Sequence, residues 1–286
     1  MRKRRFKTQA DIDNYVRQGY GQGEGASYMP WIRVQDVSSR GKSRETRGIK
    51  TGRIYHTLSN LEYGYLLLLE FSDEVVDIRE QFPVFPTATT KRIAAELGIR
   101  YPVYKHTQVP YVMTADFLVT LRNPDGTQRL GIRTCKYEEE LLPQPELART
   151  IEKLELEKAI WRANGHSDWK LVTDRVITNT LVDNLDWIHK RAVIARELQQ
   201  PELQKRFLDG LDYFDGTDRT LSSVLRTIGK GIHVQYTDAV SMFKNLVWNK
   251  VITLDIANTR LDLSETLPTL RLNAHSTAVH LERTAA

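Results

Sequence analysis

The chain has 286 residues, 41% of them hydrophobic and 27% charged, which is the balance of a globular protein long enough for two domains of ordinary size. A single cysteine excludes an internal disulfide, the seven scattered histidines give no zinc-site spacing, and no apolar run approaches the ~20 residues that span a bilayer. A net charge of +5 is too mild to identify a nucleic-acid-binding protein by itself.

The first residues predict a cytoplasmic protein with no membrane partner. Met1 to Arg5 are mostly basic, but the apolar segment of a secretory signal does not follow them. Gly21, Gly23 and Gly25 then alternate without a preceding strand, so we interpret this stretch as a glycine-rich loop rather than a dinucleotide site.

Positive charge is concentrated between Arg33 and Arg53, where only Asp36 and Glu45 oppose it. Such a run suits the phosphate backbone of DNA, although a solvated charged loop would explain it as well. The candidate DNA-binding residues are Arg40, Lys42, Arg44, Arg47, Lys50 and Arg53.

The middle of the chain alternates between predicted helices and strands. Ser59 and Glu62 have the spacing of a capping box and open a buried helix. A second helix is predicted from Glu146 to Asn164, with Leu147, Ile151, Leu154 and Trp161 on one face. The predicted strands are residues 75–78, 84–85, 112–121, 130–135 and 169–173, with a turn at 123–126 that joins two of them into a hairpin. This order predicts an α/β domain built on a mixed sheet flanked by helices, over residues 1–176.

From residue 177 onward the pattern becomes mainly helical. Three helices are predicted around Leu185, Leu203 to Leu211, and Leu221 to Gly229, and Thr237 is the predicted N-cap of a fourth that extends to Trp248. A hairpin of residues 251–254 and 260–263 would follow, which is the outline of a winged helix. Residues 177–286 are therefore predicted to be a winged-helix-like domain that binds DNA or a partner, with a disordered tail from about Asn273.

Three residues have the chemistry of a metal-dependent phosphodiesterase. Glu62 and Asp116 could hold Mg²⁺, and Lys136 could stabilise charge near the attacking water. Because Asp116 begins one hairpin strand and Lys136 follows the other, we expect them to be neighbours. Each has a plainer explanation: Glu62 as the closing residue of a capping box, Asp116 as a strand-edge residue, and Lys136 as a solvated charge.

Several strings of residues, in order over roughly 17–175, resemble the TnsA family, the endonuclease subunits of heteromeric cut-and-paste bacterial transposons. They are Gly21-Gln22-Gly23 with Pro30-Trp31, residues 50–53 with 58–62, residues 77–83, residues 116–119, and residues 151–157. The resemblance implies a restriction-endonuclease-like PD-(D/E)xK nuclease, with Glu62 and Asp116 as Mg²⁺ ligands, Mn²⁺ as a possible substitute, and Lys136 as the catalytic lysine. It also implies cleavage at the 5′ ends of the element, together with a TnsB-like DDE transposase and a TnsC-like AAA+ ATPase.

The resemblance adds further candidates and one departure. Glu157 matches another acidic position near the family's active site, although a solvent-facing helix residue is an equal explanation. Thr134 stands two residues before Lys136, where the family usually has an acidic residue or glutamine. With regular pairing Arg133 would point inward, whereas a β-bulge near Thr134 or Cys135 would turn Arg133 and Lys136 toward the site. A main-chain carbonyl near Cys135 could replace the missing ligand.

Three functional hypotheses follow. The first is an active Mg²⁺-dependent nuclease that cuts double-stranded DNA at transposon ends. The second is a catalytically weak or inactive scaffold that bridges TnsB, TnsC and DNA, and Thr134 is the feature that favours it. The third is a free-standing DNA-binding regulator, which leaves the acidic residues and the lysine unexplained.

Overall fold

The structure is a computed structural model that describes residues 6–37 and 42–273. The chain divides into two compact units between Ile177 and Thr178. Among the helices described, none combines the length and the apolar character needed to cross a bilayer. Arg40 and the predicted tail beyond Asn273 lie outside the described residues.

The first unit is built around a four-stranded sheet. Strands β3, β4 and β5 are antiparallel neighbours in that order, and β6 pairs with β5 in parallel, which confirms an α/β architecture with a mixed sheet. A separate two-stranded ribbon, β1–β2, precedes it. The elements are α1 Gln9–Arg17, β1 Arg44–Arg47, β2 Ile54–Thr57, α2 Asn60–Phe71, β3 Val75–Val84, α3 Ala88–Glu96, β4 Met113–Arg122, β5 Gln128–Cys135, α4 Leu147–Ala163 and β6 Trp169–Val172.

Strand β3 is longer than its sequence predicts. The segments 75–78 and 84–85 are not separate short strands, because β3 continues through Pro83 and pairs with β4 as far as Val84. Proline lacks an N–H, but β3 is the first strand of the sheet, and an edge strand tolerates a missing donor on its open side. The prediction of two separate short strands was therefore wrong.

Helix α4 packs against one face of the sheet. Leu156, Ile160 and Trp161 form a cluster there with Leu118 and Ile132 from β4 and β5. Burial of these side chains supplies the hydrophobic stabilisation that fixes α4 beside the strands. Ile151, which we expected on the buried face, is 44% exposed because the buried stripe runs through Leu156 and Ile160 instead. On the other face, Tyr65 of α2 meets Phe117 of β4 edge to face.

The second unit contains α5 Asn179–His189, α6 Pro201–Phe214, α7 Leu221–Ile232, α8 Tyr236–Trp248, β7 Ile252–Thr253 and β8 Arg271–Leu272. The N-cap of α8 is Gln235 rather than Thr237, and α7 continues past Gly229. Strand β7 pairs with β8, so the predicted hairpin partner at residues 260–263 was wrong. A winged helix therefore remains only an expectation for this unit.

Candidate active site

Glu62 occupies the first turn of α2 with its side chain 8% exposed. The Ser59 hydroxyl accepts a hydrogen bond from the Glu62 N–H, which starts the helix. The Glu62 carboxylate accepts from the Leu58 N–H at 2.9 Å and from the Ser59 hydroxyl at 2.9 Å. A capping box would require it to accept from the Ser59 N–H instead, so the carboxylate is held in a different way.

Asp116 lies where the pairing between β4 and β5 ends. The last paired residues are Phe117 and Arg133, and beyond them the Cys135 N–H donates to Asp116 Oδ2 at 2.7 Å. The Asp116 carboxylate thus accepts the hydrogen bond that a main-chain carbonyl of β4 would accept if the strand pairing continued. Lys136 follows directly and lines the same cavity as Asp116, so the structure brings these two residues together.

The two carboxylates influence each other. Burial raises the pKa of Glu62 to about 8, and the negative charge of Asp116 adds to the rise. Burial also raises the pKa of Asp116, against the opposing effects of the Lys136 ammonium and the Cys135 N–H. Both carboxylates are therefore costly to ionise together without a cation nearby.

Glu157 of α4 is also buried and points toward the sheet. Its Oε1 accepts from Thr134 Oγ1 at 2.7 Å and from Trp169 Nε1 at 3.3 Å. Burial raises the pKa of Glu157 to about 7, although the hydrogen bond from Thr134 opposes that rise. The alternative that Glu157 is a solvent-facing helix residue was wrong, because α4 turns this residue toward β5.

Arg133 does not belong to this group. It pairs across the ladder with Phe117, on the opposite face from Thr134, and its guanidinium binds Asp168 and the Ile132 carbonyl. Of the two alternatives considered, the one in which a β-bulge near Thr134 or Cys135 turns Arg133 toward the site was wrong in that outcome, because the Arg133 guanidinium binds Asp168 instead.

A cavity of about 520 Å³ opens beside these residues. Lys136 is 32% exposed at its edge, and its Nζ lies 4.0 Å from Glu140 Oε2. Sequence reasoning missed Thr150 and Lys153, which line the cavity from α4. The spacing of Lys153 and Glu157, four residues apart on one helix, was the available signal. The lining includes Asp116, Thr134, Lys136, Glu140, Thr150, Lys153 and Glu157.

The candidate DNA-binding residues separate into two groups. Lys42, Arg44 and Arg47 are exposed. Arg53 instead forms a buried ion pair with Glu80 and donates to the Ile78 carbonyl at 2.7 Å, so its guanidinium faces the protein interior and not the exposed surface. Lys50 is half-buried and its Nζ donates to the Ser72 carbonyl at 2.8 Å. Charge alone could not reveal these internal partners, because they lie more than twenty residues away in the sequence.

The chemistry of the side chains at this site decides whether a divalent metal ion fits there. Within residues 6–37 and 42–273, no three His, Cys, Asp or Glu side chains form a metal-binding group. Two buried carboxylates, Glu62 and Asp116, could act as donors to such an ion, and Lys136 lines the same cavity as Asp116. Hard cations such as Mg²⁺ are commonly held by one or two carboxylates, with water and phosphate oxygens completing the coordination. The residues present fit that chemistry.

Comparisons with known proteins relate the chain to one family. Residues 72–174 match the family model described as TnsA-like endonuclease N terminal, and residues 177–256 match TnsA endonuclease C terminal. The chain is 37% identical over 193 residues to the Escherichia coli protein named Transposon Tn7 transposition protein TnsA. The aligned region covers 67% of this chain and 67% of that relative.

Proposed function

Because the chain belongs to the TnsA endonuclease family, as a transposase nuclease subunit, we propose that it is a Mg²⁺-dependent DNA endonuclease of the restriction-enzyme type. The proposed reaction is hydrolysis of phosphodiester bonds at the 5′ ends of a cut-and-paste transposon. One observation carries the proposal: Asp116 and Lys136 share a cavity, and the charges of both act on the buried Glu62.

Glu62 and Asp116 would hold the metal ion, with the Cys135 carbonyl as a further oxygen donor. Bound Mg²⁺ polarises a phosphate and favours ionisation of water. Lys136 has the position and charge to stabilise the negative charge that develops on the phosphate. Glu157 and Thr134 hold each other at the wall of the cavity, and through that contact α4 stays close to β5.

Substrate and partners follow from the exposed charge and from the family. The exposed side chains of Lys42, Arg44 and Arg47 would contact DNA phosphates, and the Arg44 guanidinium also lies 4.3 Å from the centre of the Tyr63 ring. A TnsB-like DDE transposase would process the 3′ ends, and a TnsC-like AAA+ ATPase would regulate the assembly through the second unit. Mn²⁺ would substitute for Mg²⁺, and the reaction would take place in the cytoplasm.

A second candidate is a scaffold that binds the same partners but does not cut. Thr134 favours it, because a hydroxyl that donates to Glu157 replaces the third carboxylate or amide ligand usual in such sites. The two candidates differ in whether metal binds and whether strands break.

The test is strand cleavage by the full-length protein with its cognate TnsB and end-bearing DNA, in Mg²⁺ or Mn²⁺. We expect cleavage by the wild type and by Lys170→Ala, whose lysine is 66% exposed on the neighbouring strand, and none by Lys136→Ala. Equal cleavage by Lys136→Ala would rule out its catalytic role. No metal-dependent cleavage by the wild type would favour the scaffold.

A further inference from the structure

Gln81 lies opposite Asp116 in the sheet. Its neighbours Glu80 and Phe82 pair with Phe117 and Ala115, which leaves Gln81 and Asp116 facing each other across β3 and β4. The Gln81 side chain is 2% exposed. A buried amide at this position has to satisfy both its donor and its acceptor atoms inside the protein.

The backbone of Gln81 is unusual for a strand. Its φ is +49°, and of the non-glycine residues with positive φ in the described ranges, it is the one inside a strand. Such a conformation is strained for a residue with a side chain. A glycine would remove that strain, so the presence of glutamine points to a use for its side chain.

The contacts of the amide define that use. Gln81 Nε2 donates to Glu62 Oε2 at 3.1 Å, while Gln81 Oε1 accepts from Thr114 Oγ1 at 3.3 Å. A hydrogen bond from the Gln81 side chain also helps to hold down the pKa of Asp116 against the effect of burial. The Gln81 amide thus presents its N–H end to Glu62 and its oxygen to Thr114.

We propose that Gln81 is a positioning residue that bridges Glu62 and Asp116 through its amide and sets the spacing of the two carboxylates for a divalent cation. The proposal rests on the function proposed above. Groups that orient metal ligands in this way typically change metal affinity by about 10–100-fold when removed. Thr114 would act one step further out, by holding the amide in its orientation.

A purely architectural role for Gln81 makes a different prediction. The Trp31 N–H donates to the Gln81 carbonyl at 3.3 Å, a main-chain contact that substitutions of the side chain leave in place. If that contact and the backbone turn were all that mattered, asparagine would be at least as good as glutamine, because asparagine is enriched at positive φ. Its shorter side chain cannot span the same two carboxylates.

The experiment is Mn²⁺ titration by calorimetry on full-length wild type, Gln81→Asn and Asp116→Asn, together with thermal unfolding in the absence of metal. We expect Gln81→Asn to unfold at nearly the wild-type temperature but to bind Mn²⁺ about 10–100-fold more weakly. Gln204→Asn is the matched control, since Gln204 is a fully buried glutamine in the second unit and its change should leave Mn²⁺ affinity unaltered.

The outcomes separate the two proposals. Wild-type Mn²⁺ affinity in a folded Gln81→Asn protein would overturn the positioning role alone, whereas absence of Asp116-dependent Mn²⁺ binding in the wild type would overturn the metal site itself. Thr114→Val provides a second route if Gln81→Asn does not fold, because it removes only the hydroxyl that orients the amide. A several-fold loss of affinity in that variant supports the proposal, and unchanged affinity contradicts it.

Discussion

Thr134 Oγ1 donates a hydrogen bond of 2.7 Å to Glu157 Oε1, joining the end of β5 to the middle of α4. Glu157 Oε1 also accepts a hydrogen bond from the indole N–H of Trp169 on β6. One buried carboxylate oxygen thus connects three elements around the candidate site. Ionisation of this buried carboxyl costs folding free energy. The free energy of unfolding should therefore depend on whether Glu157 is protonated.

We expect metal-free Glu157→Gln to be more stable than the wild type at pH 8. The folded state raises the pKa of Glu157 from 4.5 to about 7, so the folded protein holds this proton more tightly and loses stability as pH rises between those values. Glutamine keeps Oε1 as the acceptor for Thr134 and Trp169. The gain at pH 8 should be on the order of 1–3 kcal/mol and should vanish below about pH 4.5.

Urea unfolding at several pH values measures this difference. Glu155→Gln, an exposed neighbour on the same helix, is the control and should follow the wild type throughout. Parallel pH profiles for wild type and Glu157→Gln would contradict the prediction.

Mg²⁺ should raise the unfolding temperature of the wild type but not that of Asp116→Asn. A ligand that binds only the folded state adds about 2.7 kcal/mol of stability at a hundred times its dissociation constant. Scanning calorimetry at pH 8 with and without Mg²⁺ tests this, with exposed Asp183→Asn as the control. An equal shift in Asp116→Asn would place the bound ion elsewhere.

Arg53 and Arg47 should respond to alanine substitution in opposite ways. Arg53→Ala leaves Glu80 buried without its cation, which should destabilise the protein by about 3–5 kcal/mol. Arg47→Ala should leave stability unchanged, because Arg47 is exposed. It should weaken DNA binding and reduce the slope of log affinity against log salt concentration by about one. Unfolding curves and DNA titrations at several salt concentrations distinguish them. A stable Arg53→Ala protein with weakened DNA binding would restore Arg53 as a DNA contact.

Gly21→Ala should be clearly more destabilising than Gly25→Ala. Both glycines have positive φ, but a Cβ on Gly21 would lie 2.3 Å from Pro83 Cγ, whereas one on Gly25 meets nothing within 4 Å. The steric contact should add roughly 1–3 kcal/mol to the backbone cost. Equal losses of unfolding free energy in the two variants would show that the loop moves away from β3 at little cost.

Local patterns predicted the parts of the fold that local interactions determine. Ser59 was identified as an N-cap because its hydroxyl meets an N–H three residues away, and the turn at 123–126 followed from its proline and glycine. Two apolar runs on either side of that turn predicted the β4–β5 hairpin, and from it the proximity of Asp116 and Lys136.

Long-range partners were beyond such reasoning. Arg53 resembles its exposed neighbours until β2 is placed beside β3 and Glu80 is buried against it. Gln81 carries no local signal of its contact with Glu62, which lies nineteen residues earlier on a helix. Strand β8 pairs with β7 across a long connection, where sequence reasoning favoured a nearer partner.

The candidate site and the turn of the β4–β5 hairpin lie at opposite ends of the two strands. Asp116 and Cys135 meet at one end, while the turn at 123–126 lies at the other, roughly 20 Å away at the usual rise of a strand. Exposed turn tips accept inserted groups more readily than strands do. A fluorophore attached through a cysteine at Asp125 could therefore report on assembly with DNA without disturbing the carboxylates, provided that the buried thiol of Cys135 stays unlabelled.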